Sequence, residues 1–424
     1  MTPGARAYDR HSVSTLDPAR TEPRVRLAAE SLRPYLRRTP TVYSYTFSES
    51  AGCQVHLKLE NLQRTGAFKL RGALWKTLAL DDAERARGLM AASAGNHAQG
   101  VALAARLLGT SATIVMPEAT ALNKIRRTEG YGGEVVLHGA SWDDSQRRAE
   151  ELAAERGATL IHPFDDPLVI EGQGTVGLEI REDVPDVETI VVPIGGGGLI
   201  AGVALAVKAV RPEVRIVGVQ AEGAAAMVAS VQRGERTRVA APTTVADGIR
   251  VGRPGALTLE VVREHVDELV TVSETEITDA IVATLEKSKV VPETAGVVGM
   301  AALAAHKLAV RPDECVCAVV SGGNIDLNLL ARLIECGLAN AGATHLVEVR
   351  VTDRPGQLFA VLGIIAETSC NILEVQHHRA GWRVPVGYVD VTVLVETRHP
   401  GQGPEVEELL RERGFEVGAG RPAR

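Results

Sequence analysis

A chain of 424 residues with a formal net charge of −7, 45% apolar residues and 3% aromatics has room for about two or three domains with sizeable cores. The mild negative charge and the shortage of stacking rings argue against a nucleic-acid or anionic-membrane partner. No apolar run reaches membrane-spanning length, and five cysteines without a CxxC pair suit a reducing cytoplasm better than a disulfide framework.

Residues 1–23 are polar, mixed in charge and without the apolar core of a signal peptide, and read as a flexible N-terminal arm. A helical pattern covers Val25–Leu36, with Pro34 disturbing its end. Val42–Ser44 and Val55–Leu59 read as strands around a turn at Ser50–Gly52. Next comes Thr65-Gly66-Ala67-Phe68-Lys69-Leu70-Arg71-Gly72-Ala73, where one lysine sits among apolar and small residues beside an arginine. Burial and a neighbouring cation both favour the free amine, which is what a Schiff-base lysine needs. On this stretch alone, a surface lysine opening a helix through Trp75 to Leu80 is the other reading.

From Leu89 onward, strands are predicted at 89–92, 112–116, 134–137, 159–162, 188–194, 215–220, 269–272 and 316–320. Helices are predicted after Ser93–His97 to Leu108, then at 121–130, 143–156, 168–181, 199–210, 257–264, 276–287, 295–308 and up to about Glu335, with 222–254 irregular. Alternation at this spacing means an α/β protein with mostly parallel sheet wrapped on both faces.

Three of the strands end in turns that suit a ligand. Gly195-Gly196-Gly197-Gly198 precedes a helix, so its amides and the positive end of the helix dipole suit a phosphate. No Gly-Lys-Ser/Thr follows, and Glu222 is only a weak counterpart of a ribose-binding acid; a tight strand-to-helix turn is the alternative. Ser93-Ala94-Gly95-Asn96-His97 offers amides and side chains to a carboxylate, with His97 by itself reading as structural. Ser321-Gly322-Gly323-Asn324 lies at a strand end, where open α/β sheets bind ligands.

Leu338–Ala343 reads as a linker. Beyond it come a strand at 345–351, a tight turn at Asp353–Gly356, a helix at 358–367, strands at 371–377 and 388–396, a helix at 404–413 and a closing strand at 415–417. This is a ferredoxin-like βαββαβ unit over residues 344–420.

Taken together, TGAFKLRGA (65–73), SAGNHAQGVA (93–102), GGGGLIAGVA (195–204), ADGI (246–249) and SGGNIDL (321–327) resemble the fold-type II pyridoxal-phosphate enzymes, the tryptophan synthase β-like fold, and within them the threonine dehydratase group. The resemblance covers about residues 24–335. It implies a catalytic domain at 24–337 with two open parallel-sheet lobes, the smaller at about 89–163 inserted in the larger.

It also implies roles. Lys69 forms the Schiff base with pyridoxal 5′-phosphate and takes the Cα proton; Phe68 packs on the pyridine ring; Asn96 bonds the ring hydroxyl. The amides of Gly195, Gly196, Gly197, Gly198 and Leu199 hold the phosphate, Gly248 and Glu293 line the cofactor, and Ser321 meets the pyridine nitrogen. Ser93, counted as catalytic, receives the substrate carboxylate together with Ala94, Gly95, Asn96 and His97. A serine does not keep a proton on the ring nitrogen as an aspartate would, which suits loss of a β-hydroxyl.

The implied reaction turns L-threonine into 2-oxobutanoate and ammonia, and L-serine into pyruvate. A serine-preferring dehydratase is an alternative, since one methyl is worth about 1–3 kcal/mol in a pocket. A non-catalytic amino-acid sensor on the same scaffold is an alternative of another class. Serine racemases are similar, but they place a second proton base where this chain has Ala94, and metal-binding acids where it has Gln220 and Ala226. Neither racemisation nor a bound metal is therefore expected.

Residues 344–420 resemble an ACT domain. That implies an amino-acid effector near Asp353, Pro355, Gly356, Gln357, Leu358, Asn371 and Ile372, with isoleucine first to test, and pairing between subunits in a homodimer or homotetramer. A purely structural dimerisation module is the alternative.

Overall fold

The computed structural model describes residues 16–379 and 384–418. Expectations for residues 1–15, 380–383 and 419–420 lie outside the described residues. The chain divides into two units, at 1–326 and 327–424.

In the first unit the strands are β1 (Thr41–Tyr43), β2 (Gln54–Leu59), β3 (Leu89–Ala92), β4 (Ala112–Met116), β5 (Glu134–Leu137), β6 (Thr159–Leu160), β7 (Thr189–Pro193), β8 (Arg215–Ala221), β9 (Glu268–Val272) and β10 (Cys315–Val320). They form a six-stranded sheet in the order β1-β2-β10-β7-β8-β9, parallel except for β1, and a parallel four-stranded sheet in the order β5-β4-β3-β6. Every residue of β3, β4, β7 and β10 is buried, as near-continuous apolar runs are in parallel sheet covered on both faces.

Three helices fix the geometry of the larger lobe. Lys69–Leu78 and Gly198–Lys208 both pack on Pro167–Asp183. They meet through glycines. A Cβ on Gly172 would stand 2.6 Å from the Gly72 Cα, and one on Gly202 would stand 2.3 Å from the Ile170 carbonyl oxygen. The glycines that count against a helix at 168–181 are the points where neighbouring backbones touch.

Several expectations are corrected. Residues 18–23 are not part of an arm but open the helix Pro18–Leu32, with Asp17 capping it and Pro18 in the first turn, where proline is tolerated. The turn expected at Ser50–Gly52 is the end of a helix, Tyr45–Ala51, capped by Ser44 and closed by Gly52 at φ 71°. The irregular stretch holds the helix Ala226–Arg233. No side chain next to that helix caps it. Its first amides, from Met227 and Val228, donate instead to the Gln220 carboxamide on β8, a signal local sequence does not carry. The helix expected to stop near Glu335 continues as Leu327–Asn340 and closes at Gly342, φ 67°, so it occupies half of the expected linker.

The second unit contains β11 (Thr344–Thr352), β12 (Asn371–His378), β13 (Tyr388–Glu396) and β14 (Glu416–Val417), antiparallel in the order β12-β13-β11-β14. With helices Gln357–Glu367 and Gln402–Glu412 this is βαββαβ. Valines 347, 349, 351, 389, 391, 393 and 395 alternate onto one face and pack with Val361, Ile365, Val406 and Leu410. Among the described residues no helix is long and apolar enough to cross a membrane.

Candidate active site

The lysine loop is laced to the end of β10. Phe68 N–H donates to the Ser321 carbonyl at 3.2 Å, Gly323 N–H to the Gly66 carbonyl at 2.8 Å, and Ala67 bridges Gly322. Lys69 opens its helix half-buried, its Nζ 5.1 Å from the Phe68 ring centroid and donating to the Pro163 carbonyl at 2.7 Å. Burial pushes its amine down to about 8, against an opposing pull from Glu293.

Arg71 does not act as the neighbouring cation expected from sequence. It is buried and bonded through two edges of its guanidinium to Glu60, at 2.7 and 2.8 Å, and Glu179, at 2.7 and 2.9 Å. Lys58, also buried, adds a bond to Glu179 at 2.7 Å. The arginine charge is neutralised locally, and the helix that carries Lys69 is tied to Pro167–Asp183.

Glu293 is buried, its carboxylate lodged between Gly248 and Gly322. Its Oε1 accepts from Asn96 Nδ2 at 2.7 Å, and Asn96 Oδ1 accepts from Asn324 Nδ2 at 2.7 Å. Burial, helped by Asp247, pushes the Glu293 carboxyl up to about 7. Asp247 is paired across the lobes with Lys124 at 2.7 Å. Ser321 is buried at the end of β10.

Gly195–Gly198 joins β7 to its helix. Gly197 has φ 101°, which favours glycine. Gly196 and Gly198 are glycines because Phe164 lies on them: a Cβ at either would come within 3.0 Å of it. No side chain at Gly197 caps the helix, so the amides of its first turn keep their donor capacity. Leu199 sends its side chain into the core.

At the end of β3, Ser93 Oγ accepts from Gly95 N–H at 3.2 Å and shapes the loop, and no side chain at Gly95 caps the helix Asn96–Leu107. Ala94 and Gly95 are half-buried beside it. His97 is placed differently from the rest of the expected carboxylate loop. Its ring is buried and tied to the Ile161 carbonyl at 2.7 Å, and burial holds it neutral, pushed down to about 3.

The structure separates the residues expected to hold an effector. Asp353, Pro355, Gly356, Gln357 and Leu358 sit where β11 ends, with Asp353 paired to Arg379 at 3.1 Å. Asn371 and Ile372 begin β12 at the other end: Asn371 and Thr344 both face Glu396, whereas Thr352 faces Tyr388. Eight residues of strand separate the two groups, roughly 25 Å.

The family described as pyridoxal-phosphate dependent enzyme matches residues 32–322, and the ACT domain matches residues 345–406. The chain belongs to the pyridoxal-phosphate dependent enzyme family. It is 48% identical over 393 residues to the L-threonine ammonia-lyase of Thermotoga maritima, covering 93% of this chain and 98% of that one. To the L-threonine ammonia-lyase of Geobacter sulfurreducens it is 46% identical, over 92% and 97% of the two chains. Among solved structures it is similar to the processed threonine deaminase isoform 2 of Solanum lycopersicum, with TM-score 0.70, 37% identity and coverage of 74% and 87%. It is also similar to maize serine racemase, with TM-score 0.71, 38% identity and coverage of 75% and 98%.

The cofactor of this family is pyridoxal 5′-phosphate, and the residues fit it. Its aldehyde asks for an amine with a lowered proton affinity, and its phosphate for uncommitted amide donors; Lys69 and the turn at Gly195–Leu199 offer these. Sequence reasoning missed Pro163 and Phe164 beside Lys69 and the glycine loop, and Asn324 and Asp247 beside Glu293. The last two lie inside ADGI (246–249) and SGGNIDL (321–327).

Proposed function

We propose that the chain is a threonine ammonia-lyase that turns L-threonine into 2-oxobutanoate and ammonia, also accepts L-serine, and answers to an amino acid at its ACT domain. The observation that carries the catalytic part is Lys69: an amine lowered to about 8 by burial and held on a main-chain carbonyl. The naming of the two bacterial relatives supports the choice of substrate.

When bound, the cofactor supplies an aldehyde for the substrate amino group and a ring that draws electrons from Cα. The chain does the rest. The amides of Gly195–Leu199 hold the phosphate, Asn96 and Ser321 address the ring, and the Ser93–Asn96 loop holds the substrate carboxylate at a helix N-terminus. Lys69 would take the Cα proton, with Pro163 keeping its amine aimed; the hydroxide lost from Cβ and the proton lost from Cα together make up one water, and one water is taken up again when the released enamine hydrolyses to 2-oxobutanoate and ammonia. Ala94 presents no group for returning a proton to the opposite face of Cα.

In the ACT unit, the turn at Asp353–Leu358 and the start of β12 are too far apart to share one small ligand within a chain. They meet if two copies pair antiparallel along β12, which supports a homodimer or a tetramer built from dimers. A reducing cytoplasm suits the chain, whose five cysteines are all free.

The test is release of 2-oxo acid and ammonia from L-threonine and L-serine side by side, with Lys69→Ala as control. We expect turnover on threonine and a loss of several orders of magnitude in the variant. A preference for serine would move the reading to a serine dehydratase. Turnover by Lys69→Ala within about tenfold of wild type would sink the catalytic assignment.

A further inference from the structure

Between β6 and the helix Pro167–Asp183 lies a short turn, Ile161-His162-Pro163-Phe164-Asp165, that no motif singled out. Its organiser is His162. The Nδ1 atom accepts two main-chain amides, Asp165 N–H at 2.7 Å and Phe164 N–H at 3.3 Å. Phe164 N–H belongs to the same planar peptide unit as the Pro163 carbonyl, and that carbonyl accepts from Lys69 Nζ at 2.7 Å. One rigid group is thus gripped at its N–H end by the imidazole and presents its oxygen end to Lys69.

The same turn reaches the glycine loop by two routes. The Phe164 ring stacks edge-on against His162, with centroids 4.7 Å apart at 87°, and fills the space over Gly196 and Gly198. The Asp165 carboxylate accepts from Ala256, Leu257 and Thr258 N–H at 2.8, 3.0 and 3.3 Å, capping the helix Ala256–His265. From that helix Thr258 Oγ1 donates to the Gly196 carbonyl at 2.6 Å.

We propose that His162 is a positioning residue whose bare Nδ1 locks this turn, and so sets together the acceptor for Lys69 and the seat of the glycine loop. The inference rests on the reading of Lys69 and Gly195–Gly198 as cofactor anchors. The charges that face the ring are Asp165 and Asp166, which favour its protonation, and Lys69 and Lys76, which oppose it; burial outweighs them all and pushes it down to about 4. The nearby His97 is itself neutral. Nδ1 therefore stays free to accept at neutral pH.

Three substitutions separate the acceptor from the bulk. Asparagine places an oxygen near the position of Nδ1, glutamine places its polar atoms one bond farther out, and leucine offers volume alone. Cofactor dissociation constants, followed by absorbance titration of cofactor-stripped protein, are measured beside kcat and KM. His162→Asn should stay within about threefold of wild type, while His162→Gln and His162→Leu should each lose about tenfold or more in cofactor affinity and in kcat. Wild-type behaviour in the Leu variant, or an Asn variant as impaired as Leu, overturns the proposal.

Hydrogen exchange of the wild-type holoenzyme adds a test that needs no variant. The Phe164 and Asp165 amides should be protected, and exchange at the free-amide rate refutes the lock. Failure of wild type itself to bind cofactor would overturn the family reading of the site, an outcome distinct from a Leu variant that binds and turns over normally.

Discussion

Glu293 offers a quantitative test of how the site is built. Its carboxyl is buried, sits near Asp247, and is pushed from about 4.5 up to about 7 in the fold. Between those two values the folded protein keeps a proton that the unfolded chain has released, so stability falls as pH rises through the window. At about 1.4 kcal/mol per pKa unit, the loss on going from below pH 4.5 to above pH 7 is about 3 kcal/mol. Glu293→Gln has no such proton. It keeps an oxygen for one of the donors that meet there, Asn96 Nδ2 or the Asn324 amide, and leaves the other facing an NH2 group at a cost of about 1 kcal/mol at every pH. Urea melts of the cofactor-stripped protein at a series of pH values from about 4 to 8 should therefore converge on, and then cross, those of the variant. Wild type should be the more stable by about 1 kcal/mol at about pH 4, the two should cross near about pH 5, and the variant should be the more stable by about 2 kcal/mol at about pH 8. Curves that run parallel across the range would mean that Glu293 ionises as an ordinary surface acid and that its seat between Gly248 and Gly322 is wet.

Other outcomes follow from the same structure. Arg71→Met leaves Glu60 buried without its partner and should lower stability by about 3–5 kcal/mol in urea melts; a change under 1 kcal/mol would show that the ion network is solvated. Incubation with L-serine should yield pyruvate and almost no D-serine, because Ala94 has no proton to give; D-serine appearing as fast as pyruvate would point to a second base elsewhere. A chain ended at Ala343, past the helix Leu327–Asn340 and before β11, should keep activity on threonine and lose any response of the full chain to isoleucine or valine. An inactive but folded truncation, or one that still responds, would contradict the proposed division of labour.

What sequence could show here was local. Ser93–Asn96, Gly195–Gly198 and Ser321 each follow an unbroken apolar run and lie at a strand end, so pattern alone locates them. Arg71 could not be understood that way, because its partners Glu60 and Glu179 lie 11 and 108 residues away and its charge looks free until they are seen. The helix Ala226–Arg233 carries no local start signal, because its cap is a glutamine side chain on the preceding strand. His162 carries no motif, and its importance arises from two amides folded back onto one ring nitrogen. The separation of Asn371 from the turn at Asp353–Gly356 follows from strand direction: β12 starts beside the start of β11, not beside its end.

The contacts at Gly72, Gly172 and Gly202 turn the distance between Lys69 and the glycine loop into an inherited dimension. Each helix rests on its neighbour at the closest approach a main chain permits, so a single added methyl would act as a shim. Such a shim would leave every side chain of the site unchanged while shifting one anchor against the other by a fraction of an ångström to an ångström, a displacement that can cost about a hundredfold in rate. Variation at these three positions would tune the catalyst from a distance, and a survey of relatives confined to the residues that touch the ligand would not detect it.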